Sequence, residues 1–435
     1  MRQELFFRHG LLPAGWVENL RIEVSDGVIT ALEPNVSAHG DMLHEVALPG
    51  MPNLHSHSFQ RAFAGLAERR GDSDDNFWGW REMMYRFALG LTPDEVEIVA
   101  TQAFIEMLEG GFSAVAEFHY LHHAPDGTPY DNIGEMAARI GAAAATTGID
   151  LLLLPVFYAH AGFGATPPAF EQRRFINSLD DYNKIHEICR GIGPTGVAPH
   201  SLRAVSPPEL AELVILAGDA PLHIHIAEQT AEVADCEAWC GQRPVEYLLA
   251  NAPVGPNWCL VHATHVNARE LGGIQASGAV VGLCPITEAN LGDGIFPAER
   301  FAGKYGIGSD SNVLISAAQE LQMLEYSQRL GLRRRNVMAT SQMKSTALAM
   351  FCNAVAGGAQ ALGVSAGLSL GAPANIMSLP GDAPEQALAQ FVFAARTPGV
   401  KNLWVRGRHC VQDGHHAMAE ASRARFEFVV KKHSA

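Results

Sequence analysis

Alternating apolar and polar positions at both ends of the chain predict short β-strands joined by tight turns. Residues 20 to 24 alternate in this way before Asp26-Gly27, and apolar residues resume directly afterwards. An Asp-Gly pair between two alternating segments is a strong signal for a β-hairpin. The C-terminal region has the same character, with turns predicted at Arg406-Gly407 and Asp413-Gly414 and a last strand over residues 426 to 430. We therefore expect both ends to be rich in β-structure.

The middle of the chain alternates short apolar segments with helical ones. The predicted strands cover residues 48–57, 113–120, 151–158, 196–200, 222–227, 259–263, 279–284 and 305–310. Helices are predicted between them, for example over residues 93–109 and 133–147. Eight repeated βα units predict an α/β fold, a closed (β/α)8 TIM-type barrel. A doubly wound open sheet is the alternative that this pattern leaves open.

Neither β-rich end has enough strands to bury a sheet face by itself. We therefore expect the two termini to come together as one small β-sandwich domain. Residues 1–48 and 366–435 are predicted to form this discontinuous domain, and residues 49–365 to form the barrel.

Composition and charge exclude several classes of protein. With 48% hydrophobic and 18% charged residues, the chain is globular. A formal net charge of -15 argues against nucleic acid and anionic membranes as partners. The seven cysteines form no CxxC pair, so neither a disulfide framework nor a cysteine zinc site is indicated. With no export signal or membrane-spanning segment in the pattern, we expect a cytoplasmic protein that acts on a small molecule.

Histidines and acids follow the predicted barrel strands, at the strand ends where barrel enzymes carry their chemistry. In chain order these are His55, His57, Glu117, His119, His200, His225, Glu228, His262 and Asp310. Because residues i and i+2 of a strand face the same side, His55 and His57 can hold one metal ion together. A third imidazole from strand 5 and a carboxylate from strand 8 would complete a set suited to zinc or a similar divalent metal.

Other histidines have simpler explanations. A single HxH motif is a weak signal, and for each histidine a core or surface position with a backbone hydrogen bond is an open alternative. His122 and His123 lie beyond strand 2 in a segment with Pro and Gly, which predicts a solvated loop. His415 and His416 are predicted to lie on the terminal sandwich.

Four segments resemble the strand signatures of the amidohydrolase superfamily, in the branch that contains the deaminases. They are LPGMPNLHSH at residues 48–57, HIHIAE at 223–228, LVH at 260–262 and GSDSN at 308–312. Within that branch, HSFQRAF at 57–63 and FWGWREMMY at 77–85 are similar to the formimidoylglutamate deiminase family. The resemblance covers nearly the whole chain.

The resemblance implies a set of site residues and a cofactor. The implied metal ligands are His55, His57, His225 and Asp310. The implied proton-transfer groups are Glu228, His262 and Asp310, and the implied substrate-binding residues are Gln60, Arg81, Tyr120, His200 and Arg203. Members with two metals use a carboxylated lysine at strand 4, and the chain has no Lys between Lys184 and Lys304. One divalent ion, Zn²⁺, and a homodimer are therefore expected.

The implied reaction is hydrolytic deimination of N-formimino-L-glutamate to N-formyl-L-glutamate and ammonia, in histidine degradation. Glu228 is placed to move a proton from the attacking water to the leaving nitrogen, although it could instead only orient His225. His265 is a rival to His262 on spacing. Two arginines suit a substrate with two carboxylates, unless each pairs with a protein acid, such as Glu82 for Arg81.

Two other functions stay open at this point. Another deaminase of the same branch, acting on a purine or pyrimidine ring, would share the metal site and have little need of two arginines. A catalytically silent barrel that serves as a scaffold would be favoured by loss of a ligand or of the acid, and neither is lost in this sequence.

Overall fold

The structure is a computed structural model that describes residues 2–37, 43–68, 77–394 and 399–434. The N-terminal region consists of strands β1 (Arg2–Leu12), β2 (Gly15–Ser25), β3 (Val28–Glu33) and β4 (Leu43–Pro49). Strands β2 and β3 pair antiparallel around Asp26-Gly27. The predicted hairpin is therefore confirmed.

Eight parallel strands follow and form a closed barrel. They are β5 (Met51–Ser56), β6 (Phe112–His119), β7 (Asp150–Phe157), β8 (Ala198–Pro199), β9 (Leu222–Ile226), β10 (Trp258–His262), β11 (Val280–Leu283) and β12 (Tyr305–Ile307). Each pairs with its neighbours in chain order, and β12 pairs with β5. The backbone N–H of His223 donates to Val197 O at 3.0 Å, which joins β8 to β9. Sequential order with closure confirms the barrel and excludes the open sheet.

The C-terminal strands complete the N-terminal sheet. They are β13 (Ile376–Leu379), β14 (Asn402–Val405), β15 (Arg408–Gln412) and β16 (His415–His416). Strand β13 pairs with β4, so both ends share one mixed sheet with the order β16-β15-β14-β13-β4-β1-β2-β3. This sheet has an apolar core of its own around Phe7, Ile22 and Trp404. A small β-domain from both termini, as expected from the sequence, is therefore present.

The α-helices in the described residues surround the barrel. They are α1 (Phe77–Gly90), α2 (Pro93–Glu109), α3 (Glu135–Thr147), α4 (Leu179–Ile192), α5 (Pro207–Ala217), α6 (Thr230–Cys240), α7 (Pro244–Asn251), α8 (Ala268–Ser277), α9 (Pro285–Leu291), α10 (Ala317–Leu332), α11 (Thr346–Ala361), α12 (Pro384–Phe393) and α13 (Ala419–Ser434). Local signals set their ends. Thr92 and Glu95 form a capping box at the start of α2, with Pro93 in its first turn.

The last predicted strand is wrong, because residues 426–430 lie inside α13. The apolar run there is short, and a short run does not separate strand from helix. Ser422 and Val429 are buried and Phe426 is half-buried, whereas Phe428 is 72% exposed. This spacing of four and three residues is helical.

In the described part of the chain, no helix is both long and apolar enough to cross a membrane.

Candidate active site

Four side chains at the carboxyl ends of the barrel strands form a compact group that could hold a metal ion. The ligand atoms of His55, His57, His225 and Asp310 all lie within 4.8 Å of one another, and all four residues are buried. The Nε2 atoms of His55 and His57 are 3.2 Å apart, and those of His55 and His225 are 3.0 Å apart. Asp310 Oδ1 lies 3.3 Å from His57 Nε2. The structure thus brings the four predicted ligands together.

The backbone sets the tautomer of two of these imidazoles. His57 Nδ1 donates to Phe118 O at 2.7 Å, and His225 Nδ1 donates to His200 O at 2.9 Å. A carbonyl only accepts, so Nδ1 carries the proton and Nε2 turns a lone pair toward the group. Burial also lowers the pKa of His55 to about 3, which favours the neutral, ligating form. Converging imidazole lone pairs beside a carboxylate fit a divalent cation such as zinc.

The backbone at these strand ends adopts an uncommon conformation. Ala227, His262 and Asp310 have positive φ angles of 51°, 68° and 43°. Residues other than glycine rarely adopt the left-handed region, and surrounding contacts must hold them there. Here Asn312 Nδ2 donates to Asp310 O at 2.9 Å. The turn after β12 is therefore fixed in the form that directs the Asp310 carboxylate into the barrel mouth.

Glu228 and His262 lie beside the metal-binding group. His262 Nε2 is 3.9 Å from Glu228 Oε1 and 3.8 Å from Asp310 Oδ2. Burial raises the pKa of Glu228. Burial alone would lower the pKa of His262, but Glu228, Glu288 and Asp310 around it raise that pKa to about 10. An acid and an imidazole in contact beside the candidate metal site form a pair that can hold and move protons.

His262, and not His265, faces this group. The His262 ring also contacts Glu288, with Nδ1 and Oε1 3.2 Å apart. His265 Nε2 donates instead to Asp293 O at 2.8 Å. Glu288 was missed by the sequence analysis, because it lies four residues beyond the predicted seventh strand, whereas Glu228 directly follows the fifth.

A pocket opens above the metal-binding group. The predicted substrate-binding residues Gln60, Arg81, Tyr120, His200 and Arg203 all line it, and Gln60 Nε2 donates to the Tyr120 hydroxyl at 2.7 Å. Lining residues that the sequence analysis did not predict are Trp80, Met84, Tyr85, Tyr158, Phe175, Thr287, Leu291 and Ser311. Tyr158 directly follows β7, so the strand-end rule could have found it. Tyr85 and Phe175 carry no such signal.

Two arginines, Arg81 and Arg203, place guanidinium groups at the pocket. The Arg203 Nε–H is buried and unpaired, and no carboxylate of the described residues forms an ion pair with Arg203. Arg81 donates from Nε and Nη2 to the Tyr85 hydroxyl at 3.0 and 2.7 Å. Within the described part of the chain Arg81 makes no ion pair with Glu82. Both side chains line the pocket, and the buried Arg203 Nε–H is a donor that a ligand could use.

Two histidines are buried although the sequence predicts that they are exposed to solvent. His122 and His123 lie in a loop after β6, but they are 1% and 4% exposed, so the prediction of a solvated loop is wrong. Their Nε2 atoms donate to Val156 O at 2.9 Å and Ile176 O at 2.8 Å. The segment that contains Phe175 covers them, a contact between distant parts of the chain. His415 and His416 form β16 of the terminal sheet, as expected.

Comparisons with known proteins identify the family of this chain. Residues 46–410 match the amidohydrolase family, and residues 4–45 match the N-terminal domain of formimidoylglutamate deiminase HutF. Formimidoylglutamate deiminase from Pseudomonas aeruginosa is 48% identical to this chain, and the alignment covers 97% of each protein.

Solved structures of other proteins have the same fold as this chain. An amidohydrolase from Brucella melitensis is 49% identical, has a TM-score of 0.96 and covers 100% of both chains. An adenosine deaminase from Xanthomonas campestris with bound zinc has a TM-score of 0.81 and covers 99% of this chain and 98% of its own; at 22% identity it supports the fold alone. The chain belongs to the amidohydrolase family and, within it, to the formimidoylglutamate deiminases.

Proposed function

We propose that this enzyme hydrolyses N-formimino-L-glutamate to N-formyl-L-glutamate and ammonia, a step of histidine degradation. The observation that carries the proposal is the pair of pocket arginines, Arg81 and Arg203, above a buried group of three histidines and Asp310. A protein with a net charge of -15 attracts a dicarboxylate only through cations placed at the site. The 48% identity to a formimidoylglutamate deiminase supports the same assignment.

We infer one divalent ion, Zn²⁺, held by His55, His57, His225 and Asp310. Three imidazoles and a carboxylate are a zinc-type donor set, and no lysine lines the pocket to bridge a second ion. When bound, such an ion would lower the pKa of a coordinated water to about 7 and so supply a nucleophile at neutral pH.

The protein's own groups would then carry the protons. Glu228 accepts a proton from the water that attacks the formimino carbon and passes it to the terminal nitrogen, so that the C–N bond breaks with ammonia as the leaving group. His262, 3.9 Å from Glu228, orients the water and stabilises negative charge on its oxygen. Asp310 accepts the second proton of the water as the carbonyl of the formyl product forms and passes it to the same nitrogen, which then carries three hydrogens and leaves as ammonia.

The remaining pocket residues would bind the substrate. The Arg203 guanidinium and that of Arg81 each bind one carboxylate, because the planar fork of arginine matches the two carboxylate oxygens. Gln60, Tyr120 and His200 offer hydrogen bonds to the carboxylates or the formimino group.

Ammonia release from a panel of substrates tests the proposal. The zinc-loaded enzyme is assayed with N-formimino-L-glutamate, adenosine, guanine and cytosine. We expect kcat/KM for N-formimino-L-glutamate to exceed that of every ring substrate by at least a thousandfold, since the rings lack both carboxylates. Faster turnover of a purine or pyrimidine would contradict the proposal and favour a ring deaminase.

A further inference from the structure

Arg174 is a fully buried cation that the proposed mechanism does not use. It is 0% exposed, and among the described residues no carboxylate lies within ion-pairing distance of it. A buried charge without an acid must be satisfied by other polar groups. The Arg174 guanidinium finds four of them. Nε donates to His123 O at 2.6 Å, Nη1 donates to Ala88 O and to Leu91 O at 2.9 Å, and Nη2 reaches the Tyr130 hydroxyl at 3.3 Å.

Two of these acceptors belong to the C-terminal end of α1. Ala88 lies in the last turn of α1 and Leu91 directly follows the helix. The last carbonyls of a helix have no partner within the helix, and they carry the negative end of its dipole. Arg174 therefore ties this end of α1 to the loop after β6, whose residue His123 it also contacts.

Helix α1 is also the element that brings Arg81 into the pocket. Trp80, Arg81, Met84 and Tyr85 lie on one face of α1 and all line the pocket. Phe175, the residue after Arg174, stacks on the Tyr85 ring with 6.0 Å between centroids and 16° between planes. The Tyr85 hydroxyl in turn accepts two hydrogen bonds from Arg81. The segment 174–175 thus contacts α1 at its C-terminal end and at the tyrosine that holds Arg81.

We propose that Arg174 is a positioning residue for substrate recognition, and that its guanidinium fixes α1 so that Arg81 meets a substrate carboxylate. This inference rests on the proposed function, in which Arg81 binds that carboxylate. No group of Arg174 touches the pocket, so its whole effect on binding passes through α1.

Steady-state kinetics of Arg174→Lys and Arg174→Met test this role. Lysine keeps the charge and the apolar stem but cannot span the separate acceptors as the fork does. We expect KM for N-formimino-L-glutamate to rise roughly 10- to 100-fold with kcat within about threefold, because ground-state binding is what α1 provides. The rise of KM should be smaller for Arg174→Lys than for Arg174→Met. The Lys variant therefore still tests the role if the Met variant does not fold.

Arg173→Met is the matched control. Arg173 precedes Arg174, but its guanidinium lies at the surface, where it stacks on Phe170 at 4.0 Å and donates to Pro125 O at 2.7 Å. Since none of the described contacts of its guanidinium is to α1, we expect unchanged KM and kcat. An equal rise of KM in this variant would overturn the specific role of Arg174.

A double-mutant cycle with Arg81→Met separates positioning from general destabilisation. If Arg174 acts through Arg81, Arg174→Lys adds no further loss of kcat/KM once Arg81 is replaced. If the two single losses of kcat/KM multiply in the double variant, the inference is overturned. An unchanged KM in both Arg174 variants would also overturn it. The wild-type enzyme is assayed with N-formimino-L-glutamate before any variant is measured. If it does not turn over this substrate at all, the proposed function itself has failed.

Discussion

At the residue scale, the site depends on how backbone carbonyls and carboxylates orient imidazoles. Phe118 O and His200 O hold the protons of His57 and His225 on Nδ1 and so direct two Nε2 lone pairs to the same point as Asp310. Glu228 lies three residues after His225, outside that group but in contact with His262. This division of roles gives each side chain a distinct expected response to replacement.

Glu228→Gln keeps the size of the side chain and removes its ability to accept a proton. We expect kcat to fall by about 10²- to 10⁴-fold with the metal content unchanged, as is usual for loss of a general acid–base group. Ammonia release and elemental analysis measure the two quantities. Glu237→Gln, an exposed position on α6, is the control. Loss of metal in the Glu228 variant would indicate that Glu228 only orients His225.

Arg203→Met and Arg81→Met each remove one guanidinium from the pocket. A hydrogen bond to a charged group is worth about 1.5–3 kcal/mol, so we expect kcat/KM to fall by roughly 10- to 150-fold in each variant. A formimino substrate that lacks one carboxylate should lose less in one of the two variants. Unchanged kinetics in both would remove the basis for two-point carboxylate recognition.

The sequence predicts site residues that directly follow barrel strands better than site residues that other segments bring to the pocket. His55, His57, His225 and Asp310 were predictable because strand periodicity and barrel topology place them at one rim. Tyr85 and Phe175 were not, since only the packing of α1 on a distant loop brings them to the pocket. The burial of His122 depends on that same loop.

At the element scale, helix α13 shows how a local pattern can be misjudged. A short apolar run around residue 428 predicts a strand, yet the buried positions have helical spacing and the helix packs against α2. Polar contacts to that neighbour help to hold it. Lys432 Nζ and His433 Nε2 lie 2.7 and 3.1 Å from the carboxylate oxygens of Glu95, the residue that caps α2. The sequence of α13 alone contains no sign of this partner.

Glu95→Gln tests that contact through its dependence on pH. Burial alone would raise the pKa of Glu95, but hydrogen bonds from Lys432, Thr92 and His433 lower it to about 2 from the ordinary 4.5. A lowered pKa stabilises the fold above the unfolded-state value, and that contribution is lost as the pH falls toward 2. We expect the variant to be roughly 2 kcal/mol less stable at pH 7, with the difference shrinking below pH 4.5.

Denaturant unfolding at pH 7 and at pH 3.5 measures this difference. Glu427→Gln, an exposed position on α13, serves as the control and should change little at either pH. A difference between wild type and Glu95→Gln that is as large at pH 3.5 as at pH 7 would refute an electrostatic contact.

At the scale of the whole molecule, closure of the barrel brings the proposed metal ligands together. These four residues come from the ends of β5, β9 and β12, and they meet because the eight strands pair in chain order. Hydrophobic periodicity predicts the number and order of the βα units but leaves an open sheet as the alternative, and the pairing of β12 with β5 decides for the barrel. A homodimer stays a prediction, because the structure contains one chain.

Removal of the metal tests the donor set. We expect the purified enzyme to carry about one divalent ion per chain, and chelation to abolish activity and lower Tm, because the ion binds the folded state alone. Elemental analysis and thermal unfolding before and after addition of one equivalent of Zn²⁺ provide the readouts. Two ions per chain at full activity would contradict the single-metal site.

The most direct test of the central claim is to identify the products. Water addition to the formimino carbon of N-formimino-L-glutamate gives a centre with two nitrogen substituents, and either could leave. The account predicts that the terminal nitrogen leaves, because Glu228 protonates it. NMR of the zinc-loaded enzyme with substrate labelled with ¹³C at the formimino carbon should show N-formyl-L-glutamate and an equimolar amount of ammonia. Formation of formamide and L-glutamate, or no reaction by the metal-replete enzyme, would contradict it.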